Sequence, residues 1–342
     1  MRRPEPNVEP AAVRRRAPRR GPRRRPAARL MLFAGRSHPA LAAAIASRLE
    51  VTCGEVQLET FSNGEVYCRF GESVRGADVF IVQSCWPSVN DHLLELLVMT
   101  DAARAASAER IIAVMPWFPY SRQDKKSAPR EPISARLLAE LLEAAGVDRV
   151  VTMDLHAGQI QGFFRVPVDH MTALPLFAEH FRASGLAGRD VVSVSPDLGR
   201  VKQARRLSQM LDSSFAVVAK IRPAHEIAAA AEVIGDVRGK VALVGDDMIV
   251  TGGTLVAAAD ALREAGAVSV RAFATHPLFA PGAREALVGR LDELVVTDTV
   301  SIDSETTDVL VLSVADVLAA TIDSVFADRS VSAVFAGLNE LF

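Results

Sequence analysis

Cysteine is scarce in this chain: Cys53, Cys68 and Cys85 are its three among 342 residues. An odd count without metal-ligand spacing excludes a disulfide framework and a thiolate zinc site, and predicts reduced packing residues of a cytoplasmic protein. Long apolar runs are missing too, since none reaches the roughly 18 residues that a membrane span needs. Residues 2–29 lack the apolar stretch that defines a signal peptide. Nowhere does G-x-x-x-x-G-K-[ST] occur, which excludes a phosphate loop of that type.

Net charge is small only as a sum. It is −2, from 39 Lys plus Arg against 41 Asp plus Glu. Residues 1–29 hold 11 Arg, no Lys and two Glu, leaving 39 − 11 = 28 bases and 41 − 2 = 39 acids, or −11, for the rest. The Arg/Pro/Ala tail, residues 1–28, cannot build a core and is expected to be disordered. It reads as an arm for RNA or another anion, as a solvated appendage, or as sequence upstream of a true start at Met31, where Met31-Leu32-Phe33 opens the first strand. No aromatic residue is interleaved with the arginines to stack on a base, which favours the last two readings and disfavours nucleic acid as a partner.

What is present, from residue 30 onward, is an alternation of short apolar strands with helical patterns, the mark of βαβ units and a parallel sheet. Residues 135–146 predict a helix with Leu137, Leu138, Leu141 and Leu142 on one face and Gly146 as its stop. The pattern repeats. Val79–Gln83, the helix from Leu93 and Arg110–Val114 parallel Val241–Gly245, the helix from Leu255 and Val270–Ala274, and Leu30–Leu49 parallels Val191–Leu211. Two similar α/β domains are expected, at 29–168 and 169–325, followed by a C-terminal segment 326–342.

Chemistry concentrates at strand ends. After the strand Val241–Val244 come Asp246, Asp247, Met248, Ile249, Val250, Thr251, Gly252, Gly253 and Thr254, then a helix from Leu255. Hydroxyls and free backbone N–H groups at a helix N-terminus suit a phosphate, and paired carboxylates suit a sugar diol or a hydrated metal ion. An ordinary Gly-Gly turn is the plain alternative. Arg122, Gln123, Asp124, Lys125 and Lys126 suit a polyphosphate or nucleotide, or form a solvated charge run. Asp154 and His156 end a strand where they can bind Mg²⁺, although a lone His is more often structural. Asp197 is a further carboxylate or a helix cap. Lys220 and Arg222 share one side of an extended segment and would stabilise a transferring phosphoryl group, or lie in a solvated loop. Phe61, Asn63, Gly64 and Glu65 could sandwich a purine, but Asn-Gly favours a β-hairpin turn.

In this order, the segments Gly71–Gly76, Arg122–Lys126, Arg130–Ala135, Asp154–Ala157, Gln159–Phe164, Pro167–His170 and the Asp246 loop resemble the phosphate-activated ribose-phosphate pyrophosphokinases. The resemblance runs from about residue 30 to the C-terminus. It implies two similar phosphoribosyltransferase-like domains, each a mainly parallel sheet flanked by helices. It implies transfer of the diphosphoryl group of ATP to the 1-hydroxyl of ribose 5-phosphate, giving phosphoribosyl pyrophosphate and AMP for nucleotide biosynthesis. Carried over residue by residue, Phe61, Asn63, Gly64, Glu65, Arg122 and Gln123 would bind ATP, and His156 and Asp197, with Asp154 nearby, would hold Mg²⁺. Lys220 and Arg222 would be catalytic. Ribose 5-phosphate would be bound by Arg222, Asp246, Asp247, Val250, Thr251, Gly252, Gly253 and Thr254. Ser73, Arg75, Ser330 and Ser332 match a regulatory phosphate/ADP site between subunits of a cytoplasmic hexamer built from dimers.

The chain departs from the family pattern at Val250, where Asp is usual, at Gly199-Arg200, which replaces a two-glycine step, at Ile221 between the paired cations, at Pro277–Gly282, where a Gly and a Ser-Gly are common, and at Ala336–Phe342, which extends past the usual ending. Val250, Arg200 and Ile221 leave room for a catalytically weakened regulatory paralogue. A phosphoribosyltransferase sharing only the Asp246 loop is a further reading, though such enzymes usually lack the Arg122 and His156 segments.

Overall fold

The computed structural model describes residues 29–221, 230–303 and 308–332, without the side chains of residues 220, 221, 230 and 231. The elements run β1 (Leu30–Ala34), α1 (Pro39–Arg48), β2 (Val56–Thr60), β3 (Val66–Phe70), β4 (Asp78–Val82), α2 (Val89–Ala105), β5 (Arg110–Met115), α3 (Ser134–Ala145), β6 (Arg149–Met153), β7 (Val168–Met171) and α4 (Leu174–Ala183). They continue with β8 (Val191–Ser195), α5 (Val201–Met210), β9 (Ser214–Ile221), β10 (Ala230–Ile234), β11 (Val241–Ile249), α6 (Gly253–Glu264), β12 (Ser269–Pro277), α7 (Ala283–Leu287), β13 (Glu293–Thr297), β14 (Leu310–Leu312) and α8 (Ala315–Phe326).

Two sheets organise the chain. The first has the order β1-β4-β5-β6-β7 and is parallel throughout. The second has the order β10-β9-β8-β11-β12-β13-β14, with β10 alone antiparallel to its neighbour. The repeat seen in the sequence therefore reappears as matching order, β1-β4-β5-β6 against β8-β11-β12-β13. β7 begins at the expected 168/169 division and hydrogen-bonds to β6 of the first sheet.

These strands read as nearly continuous apolar runs because both faces of each sheet are covered. Side chains alternate between faces. Leu32, Phe80, Val82, Ile112 and Val114 enter one core with Phe177 and Phe181 of α4, Leu318 and Ile322 of α8, and Leu243 and Phe273 of the second sheet. Met31, Phe33, Val79, Ile81, Ile111 and Ala113 enter another with Leu96 and Met99 of α2 and Leu138 of α3. A shared core thus holds the two halves together.

α3 ends at Gly146, whose φ of +120° is open to glycine alone. Its buried stripe is Ala135, Leu138, Ala139 and Leu142, while Leu137 and Leu141 are 54% and 41% exposed. The expected four-leucine face is thus halved, because neighbours on a helix are separated by about 100°. The Asn63-Gly64 segment forms the hairpin turn between β2 and β3: Glu65 N donates to Asn63 Oδ1 at 3.1 Å, and Gly64 has φ +90°. The cysteines are free, and Cys85 is fully buried. No helix among the described residues is long and apolar enough to cross a membrane.

Candidate active site

β11 is longer than its apolar run predicts. It reaches Ile249, so Asp246 and Asp247 lie within the strand rather than in the loop after it. Pairing with β12 continues through Met248↔His276 and Ile249↔Pro277. Phe279 N and Ala280 N then donate to the carbonyls of Ile249 and Val250 at 3.0 and 2.8 Å. The acids are thereby fixed by backbone pairing. Val250 is half-buried against apolar neighbours and keeps its carbonyl bonded to Ala280.

The glycine turn closes one end of the site. Gly252 has φ +76°, and a Cβ there would also sit 3.1 Å from Leu287 Cγ. No side chain caps the start of α6. Its first N–H groups therefore point at a cavity of about 190 Å³, lined by Arg122, His156, Asp197, Arg200 and residues 246–255.

A second cavity, of about 530 Å³, lies beside it. Its cations are Arg122, Lys125, Arg200 and Lys202, joined by Asp154, Gln159 and Gln203 among others. Arg122, His156, Arg200 and Asp247 line both cavities, so these side chains form the wall where the two meet.

That wall is a compact ion cluster. Arg200 Nη2 lies 2.5 Å from Asp247 Oδ2, Arg200 Nε 3.6 Å from Asp246 Oδ1, and His156 Nδ1 2.7 Å from Asp247 Oδ2. Arg200 Nη2 is also 2.9 Å from His156 Nδ1. With a proton on Nδ1, both Arg200 and His156 donate to Asp247. Burial and the neighbouring Asp247 push the Asp246 carboxyl well above its ordinary value, with Arg200 opposing. Burial also acts against charge on Asp247, but the His156 hydrogen bond and Arg200 outweigh it and hold its carboxyl below the usual range. Two adjacent buried carboxylates resist double ionisation, and the shifts run in opposite directions, up at Asp246 and down at Asp247.

Asp197 Oδ1 accepts from Gly199 N at 2.7 Å and Arg200 N at 3.2 Å, so it shapes the turn that presents Arg200. It is not a helix cap, for α5 starts after Arg200 with no side-chain cap hydrogen bond. Asp154 reaches across the halves: its Oδ2 accepts from Ala173 N at 2.9 Å and from Thr275 Oγ1 at 2.6 Å. Gln159 Nε2 donates to Asp124 Oδ2 at 2.5 Å, tying the Arg122 loop to the turn after His156.

Other expected residues stand apart. Gln123 Oε1 accepts from Ser134 Oγ at 2.6 Å and lines neither cavity. Phe61, Asn63, Gly64 and Glu65 line neither, and Phe61 is 48% exposed. Ser73 and Arg75 precede β4, and Ser330 and Ser332, with hydroxyls 2.6 Å apart, follow α8; these four also lie outside both cavities. Lys220 lies in β9 opposite Ala231, with only its backbone described, and Arg222 falls outside the described residues. Lys202 and Gln203 were not picked out from the sequence; their place in the first turn after the Asp197 loop is the signal that would have found them.

Metal-binding capacity follows from these donors. Among the described residues no three His, Cys, Asp or Glu side chains gather into a metal cluster. One imidazole and one carboxylate, His156 and Asp247, nevertheless meet at the wall, which fits an ion such as Mg²⁺ that takes one or two protein ligands and completes its shell with waters and phosphate oxygens.

Known proteins match this chain over most of its length. Residues 30–146 match the N-terminal domain of ribose phosphate pyrophosphokinase, and residues 197–336 match the phosphoribosyl synthetase-associated domain. The chain is 46% identical to a ribose-phosphate pyrophosphokinase of Fusobacterium nucleatum over 89% of its length and 97% of the relative's. It is 47% identical to that of Corynebacterium efficiens over 90% and 96%. The crystal structure of phosphoribosylpyrophosphate synthetase from Mycobacterium smegmatis superposes with a TM-score of 0.82 at 44% identity, covering 88% of this chain and 99% of that one.

Proposed function

This chain belongs to the ribose-phosphate pyrophosphokinase family, and we propose how its residues divide that family's reaction. The enzyme makes phosphoribosyl pyrophosphate from ATP and ribose 5-phosphate. The 1-hydroxyl oxygen attacks the β-phosphorus and gives up its proton to solvent, the bond from the β-phosphorus to the α,β-bridging oxygen breaks, and AMP leaves with that oxygen. One observation carries the assignment of residues: a cation-lined cavity and a smaller one at an uncapped helix N-terminus share the wall of Arg122, His156, Arg200 and Asp247.

ATP takes the larger cavity, where Arg122 and Lys125 face its phosphates, and the 5-phosphate takes the turn 251–254. Asp246 and Asp247 take the ribose hydroxyls, and Val250 contributes its backbone. Reacting atoms must approach to about 3–3.5 Å, so they meet at the shared wall. Lys220 and Arg222, carried over from the family resemblance, stabilise charge on the transferring group. Mg²⁺ would be held by His156 and Asp197 with Asp154 nearby, and would shield the phosphate oxygens from one another. We assign ATP to residues 29–168 and ribose 5-phosphate to 169–325.

Because Phe61, Asn63, Gly64 and Glu65 line neither cavity, their part in ATP binding requires a second copy of the chain. This supports a homo-oligomer, with a hexamer and regulation by phosphate and ADP through Ser73, Arg75, Ser330 and Ser332 as the fuller proposal. A cytoplasmic location fits the free cysteines. A coupled assay for AMP release from ATP with ribose 5-phosphate and Mg²⁺ tests the reading. Turnover dependent on both substrates is expected, and no turnover at any phosphate concentration would overturn it.

A further inference from the structure

Arg200 occupies the space between donors that a metal ion would use. Its Nη2 lies 2.5 Å from Asp247 Oδ2 and 2.9 Å from His156 Nδ1, two atoms themselves 2.7 Å apart. An ion bound by the same two atoms, at about 2.0–2.2 Å from each, could not share that side with the guanidinium nitrogen. Arginine does not yield by losing its proton, so it must rotate away. Asp247 is 2% exposed and needs a cationic partner from one source or the other.

We propose that Arg200 is a built-in counter-ion of the Asp246–Asp247 pair that competes with a divalent cation for His156 and Asp247, and so sets how much metal this enzyme demands. The side chain is positioned for an exchange. It starts at the turn shaped by Asp197, immediately before α5, and it lines the cation-rich cavity as well as the smaller one. When displaced from Asp247 it remains beside the larger cavity, where phosphate oxygens offer a fork-shaped guanidinium two matching acceptors. The inference rests on the assignment of His156 as a metal-binding residue and adds Asp247, 2.7 Å from it, to the ion's ligands beside the ribose contact proposed above.

The test is Mn²⁺ binding to the full chain without ATP or ribose 5-phosphate, followed by calorimetry and by the paramagnetic resonance of free Mn²⁺. Arg200→Ala is expected to bind Mn²⁺ about tenfold or more tightly than the wild type, since one charge-assisted contact no longer opposes the ion. Arg200→Lys, which keeps the charge, should stay close to wild type, and Arg200→Ala/Asp247→Asn should lose the gain. Equal or weaker binding by Arg200→Ala overturns the proposal. Should that variant not fold, a crystal structure of the wild type soaked in Mn²⁺ decides: an ion on His156 and Asp247 with Arg200 turned away supports the competition, and an ion there with the Arg200–Asp247 contact intact refutes it. No turnover is measured, so failure here leaves diphosphoryl transfer standing, and an inactive enzyme would leave the competition readable.

Discussion

Replacing Gly245 by Ala should damage both the core and the site, because this residue precedes the acid pair and lies against a packed ring. A Cβ on Gly245 would sit 2.1 Å from Phe273 Cζ and 2.7 Å from Cε1 and Cε2. Ordinary contact begins at 3.4 Å, so ring and strand must separate by 3.4 − 2.1 = 1.3 Å along that direction. Phe273 has little room to retreat: it is 1% exposed, with Phe177 and Phe181 at centroid distances of 4.8 and 5.7 Å. Overpacking of this kind costs about 1–3 kcal/mol. At roughly 1–2 °C per kcal/mol, from the per-residue unfolding entropy scaled to 342 residues, the melting temperature should fall by about 1–5 °C. Part of the movement passes to Asp246 and Asp247, and a misplacement of about 1 Å can cost on the order of 10²-fold in rate. The assays are calorimetric Tm and AMP release, with Gly245→Ala/Phe273→Leu expected to recover part of both. Wild-type Tm and turnover in Gly245→Ala would refute the argument.

Three further outcomes follow from the same structure. Burial lowers His170 from 6.5 to about 4, with Asp154 opposing and His276 adding to the shift. Above pH 6.5 folded and unfolded states are both neutral there; between about 6.5 and 4 only the unfolded chain takes the proton, so stability falls by on the order of 3 kcal/mol and the loss levels off below 4. Urea unfolding should therefore show a steeper acid decline in wild type than in His170→Gln, and equal slopes would contradict the burial argument. Thr275→Val removes the fully buried hydroxyl that donates to Asp154 Oδ2 at 2.6 Å, and should destabilise by about 2 kcal/mol, with Thr275→Ser restoring most of it; an unchanged urea midpoint would refute the link. Lys220→Ala is expected to lower kcat on the order of 10²-fold with little change in KM, and an unaltered kcat would remove Lys220 from the transition state.

Much of this was legible in the residues. Apolar strand runs and the internal repeat foretold two sheets of matching order, because a strand buried on both faces needs no polar alternation. Asn63-Gly64 announced its hairpin through local backbone preference. The turn after the Asp246 strand was readable as a glycine-led helix start, since Gly252 and the uncapped α6 are local features. The partners of its acids were not. Arg200, His156 and Asp247 are separated by 44 and 47 residues or more, and only sheet closure brings them into one wall. Likewise nothing in a leucine count told that Leu137 and Leu141 face outward, which depends on where α3 touches the sheet. The extension of β11 past Gly245 was hidden by the two carboxylates, which read as a strand's end until β12 is seen to continue alongside.

The most direct test of the account is ³¹P nuclear magnetic resonance of the enzyme with ATP, ribose 5-phosphate and Mg²⁺. It predicts AMP together with a diphosphate ester on carbon 1 of the sugar, formed in equal amounts. Appearance of ADP with a singly phosphorylated carbon 1, or loss of ATP without a diphosphate ester, would contradict it.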